Sequence, residues 1–221
     1  MIPNNDNFWL RQTPHITSIA TLGPEGSSSQ CAARYLSSII GEQLEILLFS
    51  TFEQASEHVE SNDTCLLLVA NAYQRVDNFY MNNQTLLLGS FFFAPPTYYL
   101  ACKDISELTF KISSKKTISI ASHHAPLSRL EDLIQSSEER VSGIRKSQID
   151  VQLIDSTSVG AQKAASGRVD CCLANIDAIN LHNLNVISQP LHIEMTWAAF
   201  SKNTITQKEF DNGKQQVRPS Y

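Results

Sequence analysis

Short apolar runs recur along the chain, each followed by a hydroxyl-bearing junction and then by a segment whose apolar positions repeat at helical spacing. SIATLG (Ser18–Gly23) leads into Ser27–Ile40, and LEILLFS (Leu44–Ser50) leads into TFEQASEHVES and then the strand-like TCLLLVA. After TLLLGSFFFAPPTYYLAC (Thr85–Cys102) the pattern resumes: KTISIAS precedes HHAPLSRLEDLIQSS, and IDVQLIDS precedes TSVGAQKAASG and VDCCLAN. Alternating β and α elements of this kind predict α/β architecture with a parallel sheet and crossover helices.

The pattern also repeats on a longer scale. STFEQASEHVESNDTCLLLVAN (Ser50–Asn71) and STSVGAQKAASGRVDCCLAN (Ser156–Asn175) both open on Ser-Thr, place Ala sixth, put Cys after the helical segment and close on Ala-Asn. Two similar lobes are expected, residues 1–102 with 192–221 forming the first and 103–191 inserted as the second. Ligands of such sheets lie beyond the carboxyl ends of strands, where helices begin and unpaired N–H groups favour anions. Four junctions there carry hydroxyls: Ser27–Ser29, Ser50–Thr51, Ser122 and Ser156–Ser158. Each is also what an ordinary N-cap requires, so their convergence at equivalent strand ends, rather than any one of them, points to a small carboxylate. Gly23 and Gly26 bracket Pro24-Glu25 and allow a tight turn close to a ligand.

Composition narrows the function. The chain has 221 residues, 42% of them hydrophobic and 18% charged, as in an ordinary globular protein; its net charge of -5 argues against a nucleic-acid partner. Gly89, Pro95 and Pro96 interrupt the most apolar stretch, so no membrane span is expected, and MIPNNDNFWLRQTPH lacks the features of a secretory signal. Five cysteines without a CxxC pair suit reduced thiols and a cytoplasmic protein, and the six histidines lack metal-site spacing, so no metal is expected. His123 and His124 follow a strand and either cap the next helix or line the cleft. Tyr73, Tyr80, Tyr98 and Tyr99 can each supply a phenol, with packing the default for at least half of them, and packing is also the default for Trp197.

The order of motifs resembles a known family. LGPEGSSSQCAA is similar to the GPxGTFS opening of prephenate dehydratases, IASHHAPLSRLEDLI to their SHPQAL segment, and DSTSVGAQKAASGRVDCCLAN with LHNLNVI to their STxxAA…YGL stretch. The resemblance implies a two-lobed fold like that of type II periplasmic binding proteins. Three departures stand out: Ser28 replaces the phenylalanine of GTFS, ANAYQRVDNFYMN replaces a Glu-Asn-Ser segment, and Thr196-Trp197-Ala198 falls where the dehydratases carry Thr-Arg-Phe. This combination resembles the prephenate decarboxylases of bacilysin- and aeruginosin-type pathways. A regulatory ACT domain is not expected, since only a polar tail follows Ser201.

That resemblance implies cofactor-independent loss of CO2 from prephenate without aromatisation, giving a dihydro-4-hydroxyphenylpyruvate. The diene accepts the electrons; an enzyme must hold the side-chain carboxylate and protonate a ring carbon while leaving the C4 hydroxyl unprotonated. Trp in place of Arg at 197 removes a cationic fork and adds an apolar wall. Expected substrate contacts are Gly23, Glu25, Gly26, Ser27, Ser28 and Ser29 with Ser156, Thr157 and Ser158, opposed by Ser122 and His123. Lys103 is the candidate counter-charge, Tyr73 or Tyr80 the proton relay, and Thr196 and Trp197 complete the expected catalytic set. A homodimer is implied by the resemblance alone. The alternatives are a divergent dehydratase and a non-catalytic carboxylate-binding protein.

Overall fold

A computed structural model describes residues 15–41 and 43–204. The amino-terminal segment read as lacking a secretory signal, up to residue 14, and the polar tail from residue 205 lie outside the described residues.

Two five-stranded sheets form the two lobes. The first contains β1 (Ser18–Leu22), β2 (Glu45–Phe49), β3 (Cys65–Ala70), β4 (Thr85–Phe93) and β10 (Met195–Lys202), in the order β2-β1-β3-β10-β4. The second contains β5 (Tyr98–Cys102), β6 (Ile118–Ser122), β7 (Ile149–Leu153), β8 (Cys171–Asn175) and the two-residue β9 (Asn185–Val186), in the order β7-β6-β8-β5-β9. The two orders correspond strand for strand. In each, three parallel strands are joined through helices, and the next strand runs antiparallel. The sheets are therefore mixed rather than parallel throughout. The chain enters the second lobe along β5 and returns along β10, and both crossing strands run against the strands they join.

Strand pairing also places the crossover earlier than the sequence pattern suggests. The uninterrupted look of Thr85–Cys102 conceals a break at Pro95-Pro96, where two consecutive residues lack backbone donors. Tyr98–Cys102 then pairs with β8, so these residues belong to the second sheet and not, as the boundary at 102 had it, to the first.

Local chemistry defines the helices. α1 (Ser28–Ile40) starts where the Ser27 hydroxyl accepts the Gln30 N–H and ends at Gly41, whose positive φ supplies the left-handed cap. α2 (Phe52–Ser61) is capped by Thr51, and α6 (Thr157–Ala165) by Ser156. The same Ser-Thr pair thus caps with its second residue in one copy of the repeat and its first in the other. α4 (Ile105–Ser113) starts at Asp104, which accepts from two N–H groups, and α7 (Ile176–Leu181) starts at Asn175. A short α3 (Asp77–Tyr80) and α5 (Leu130–Ser136) complete the set of α-helices among the described residues. Each sheet has an apolar cluster on both faces: Leu36 and Leu66 on one side of the first and Phe52 and Val59 on the other; Leu108 and Leu133 on one side of the second and Ala161 and Ile179 on the other.

The second lobe carries a half-buried ion pair between Lys111 of α4 and Asp170, which precedes β8. The Asp170 carboxylate also accepts from the Ser119 N–H and hydroxyl, each at 2.9 Å. Burial alone would raise the Asp170 carboxyl, but the Lys111 ammonium and the Ser119 donors outweigh it and hold the group below its usual value. Such a group stabilises the fold above its unfolded pKa and loses that contribution as pH falls through the lower folded value. Urea unfolding should therefore show stability declining below about pH 4, and Asp170→Asn should cost about 2 kcal/mol at pH 7 while flattening that acid limb.

Candidate active site

Between the lobes lies a cavity of about 240 Å³, near the lower end of the range for small-metabolite sites. Part of its polar lining comes from two helix starts on opposite lobes: Ser27, Ser28 and Ser29 at α1, and Ser156 and Thr157 at α6. The first N–H groups of a helix have no intrahelical acceptor. At α1 the Ser27 hydroxyl takes that of Gln30 (3.2 Å) and at α6 the Ser156 hydroxyl takes that of Val159 (3.4 Å), leaving the N–H groups of Ser28, Ser29 and Thr157 without an acceptor among the described residues. Two helix dipoles thus present their positive ends to one small cavity, an arrangement suited to a carboxylate. The rest of the wall is largely apolar: Leu22, Phe52, Pro126, Ile193, Met195 and Trp197.

Trp197 is 1% exposed, and its indole N–H donates to the Phe93 carbonyl at 3.3 Å. The donor is thereby committed, and the ring serves as wall and core together. Thr196, its neighbour, points the other way, because successive strand residues face opposite sides of a sheet. The Thr196 hydroxyl accepts from Asn71 at 2.8 Å and does not line the cavity.

Tyr73 lines the cavity, but its hydroxyl donates to Glu53 Oε1 at 2.9 Å and accepts from Arg75 at 3.0 Å. Burial, and next the Glu53 bond, push this phenol above its usual range. Tyr80 is 39% exposed, donates to Asn71 Oδ1 at 3.0 Å and lies outside the cavity, so geometry removes it from the relay position. A second cavity of about 250 Å³ shares Tyr73, Phe52, Leu22, His123 and Asp155 with the first and is bordered by Arg75. Arg75 is the cation at the cleft mouth; Lys103 is exposed, and its carbonyl accepts from Asn185 on the far side of the second sheet.

The remaining expected contacts divide sharply. Gly23 donates its N–H to the Phe49 carbonyl and serves the turn, while Glu25 is an exposed rim residue 4.0 Å from Arg34. Neither lines the cavity, and Gly26, with φ of 78°, enters the site only through its carbonyl. Ser122 is fully buried and donates to the His123 carbonyl, bracing the turn behind the wall. Ser158, in the first turn of α6, is buried away from the cavity, with a hydroxyl that has no partner among the described residues. His123 does line the cavity, and its Nδ1 accepts the Ala125 N–H at 3.3 Å, which puts the ring proton on Nε2.

Two residues that the sequence pattern left aside complete the site. Tyr98 of β5, weighed as one of four possible phenol donors but not carried into the expected site, lines the cavity, and its hydroxyl lies 2.6 Å from Ser28 Oγ on the opposite lobe. Asn175 of β8 faces Tyr98 directly across the strand pair, so the two side chains share one side of the sheet. The Asn175 amide donates to the Gly26 carbonyl (3.1 Å) and to Ser28 Oγ (3.2 Å), again across the lobe seam. The only sequence sign of its role is the Ala-Asn that closes both copies of the repeat. Cys31 of α1 adds a further seam contact, its thiol donating to Asp177 of α7 at 3.3 Å; burial, and next Asp177, push that thiol up to about 12. Among the described residues no three His, Cys, Asp or Glu side chains form a metal-binding group, and no helix is long and apolar enough to cross a membrane.

The fold is the two-lobed α/β class shared by prephenate dehydratases and periplasmic ligand-binding domains. It matches a prephenate dehydratase from Arthrobacter aurescens in complex with L-Phe (TM-score 0.60, 13% identity, covering 85% of this chain and 61% of that one). It also matches the periplasmic VFT2 domain of Bordetella pertussis BvgS (TM-score 0.51, 13% identity, covering 88% and 83%). In sequence, the chain is homologous to curated prephenate decarboxylases. It is 29% identical to that of Planktothrix agardhii, across 86% of this chain and 91% of the relative, and 27% identical to that of Bacillus subtilis, across 86% and 89%. No family model matches the chain.

Burial, and next the neighbouring His124, lower His123 to about 4 from an ordinary value of 6.5, so the ring is neutral at pH 7. Between those two values the unfolded chain binds a proton that the folded ring does not, and the His123 contribution to stability rises with pH across that window. An NMR titration of the ring protons should give a midpoint near 4 for His123.

Proposed function

We propose that the cleft binds prephenate and catalyses loss of its ring carboxylate without aromatisation, as a cofactor-independent carbon–carbon lyase of secondary metabolism. The observation that carries this reading is Trp197: in a chain similar to prephenate decarboxylases, a buried indole with its donor already committed forms the wall where the dehydratase pattern has arginine. An apolar wall supplies no proton to a C4 hydroxyl. Placing the ring carboxylate beside Trp197, Met195 and Ile193 strips its water and favours departure as neutral CO2. The side-chain carboxylate takes the opposite end, against the starts of α1 and α6, with Arg75 as counter-charge at the mouth in place of Lys103. A homodimer, supported only by the resemblance, and a cytoplasmic location, supported by five free cysteines, belong to the same proposal.

Incubation of the protein with prephenate, followed by ultraviolet and NMR spectroscopy, should show CO2 release and a non-aromatic product that keeps its C4 hydroxyl. Phenylpyruvate would instead make the protein a dehydratase, and saturable binding without turnover would make it a carboxylate sensor. In the same assay Arg75→Gln should raise KM about tenfold and leave the product unchanged.

A further inference from the structure

The hydrogen bonds at the lobe seam have a definite proton count. Asn175 Oδ1 accepts the Ala178 N–H at 2.8 Å, and Nδ2 faces the Gly26 carbonyl, so the amide can stand only one way round. Its second N–H therefore enters Ser28 Oγ. Ser28 and Tyr98 then hold one hydroxyl proton each, with a single 2.6 Å link between their oxygens. One proton occupies that link, and the other is left for an acceptor beyond the pair. If Ser28 donates to Tyr98, the remaining proton is the phenol's, on an oxygen that also meets the Thr157 hydroxyl and whose ring lines the cavity.

Several other polar groups facing the cavity do not offer this, while His123 also presents a proton there, on Nε2. The Tyr73 proton is given to Glu53, the Trp197 N–H to Phe93, and Asp155 and Glu194 sit on the exposed rim. Tyr98 is only 5% exposed, and burial pushes its phenol up, so it stays protonated until something in the cavity takes the proton. The Ser28 and Thr157 hydroxyls both oppose that shift, and they are the donors that would hold a transient phenolate.

We propose that Tyr98 is the catalytic acid that protonates the ring carbon, with Ser28 and Asn175 as its positioning residues. The assignment rests on the prephenate reading above. As the bond from the ring to its carboxylate breaks, CO2 leaves and the electron pair enters the diene. A ring carbon at the far end of the shifted pair forms a new C–H bond with the Tyr98 proton, the phenol O–H bond breaks, and the C4 hydroxyl stays in place. The phenolate regains a proton from water, so each turnover consumes one proton overall and needs no oxidant or reductant.

The test starts with wild-type turnover in D2O, which should give product carrying one deuterium on one face of a single ring carbon. Tyr98→Phe should lower kcat about 100-fold or more with a much smaller change in KM, and its residual product should carry deuterium on both faces. Ser28→Ala should lower kcat and Ser28→Thr should restore it. Placing 3-fluorotyrosine at 98, an isosteric change that lowers the phenol pKa, should move the alkaline limb of the kcat–pH profile to lower pH, and it supplies the answer if Tyr98→Phe does not fold. Absence of CO2 release by the wild type would overturn the prephenate reading itself. Wild-type turnover combined with an unshifted fluorotyrosine profile, or with a folded Tyr98→Phe of unchanged kcat and single-face deuteration, would overturn the role of Tyr98 alone.

Discussion

The orientation of one amide, that of Asn175, constrains the whole site. It is buried at the end of β8, where its oxygen caps α7 and its nitrogen crosses the seam to Gly26 and Ser28. A buried amide left half-paired would cost free energy on the order of 1–3 kcal/mol, so all three partners must be supplied together. That requirement sets the positive-φ turn at Gly26 and the start of α1 against the second lobe. The cavity between the helix starts exists because this seam fixes their separation.

The matching strand orders explain why the seam falls where it does. Each sheet is entered or left by a crossing strand that runs antiparallel beside its third parallel strand, β10 in the first lobe and β5 in the second. The crossing strands therefore lie inside the sheets, and residues at their ends are placed between the lobes. Trp197 near the start of β10 and Tyr98 at the start of β5 are in equivalent positions of this kind, and both line the cavity. Their chemistry differs because their donors differ: the indole N–H is spent on Phe93, whereas the phenol shares a hydroxyl network with one proton to spare.

Electrostatics divide the cleft between its walls and its mouth. Helix starts and hydroxyls supply partial positive charge inside, where a full cation would also have been costly to desolvate. The formal cation, Arg75, stands outside in water, tied to Glu53 at 3.3 Å and to Tyr73. A dianionic ligand is thus met by dipoles where it is buried and by charge where it is solvated, and the neutral His123 ring adds no charge to the interior.

Local pattern was enough to read the α/β alternation, the capping serines and the repeated Ser-Thr…Ala-Asn unit, because each depends on neighbouring residues or on order along the chain, while Trp197 in the place of an arginine was implied by the resemblance to the dehydratases. Ser27, Ser28, Ser29, Ser156, Thr157, Tyr73, His123 and Trp197 were placed at the cavity on those grounds. Gly23, Glu25, Gly26, Lys103, Ser122, Ser158, Tyr80 and Thr196 were expected there too but do not line it, since a residue beside a junction can face the core, the rim or the opposite side of its strand, and spacing does not distinguish these. The pairing of β5 with the second sheet, the seam contacts of Asn175 and the proton count at Tyr98 were decided only by tertiary structure. Residues separated by 70 and 147 positions meet at Ser28, and what joins them is the closure of two lobes that no local signal encodes.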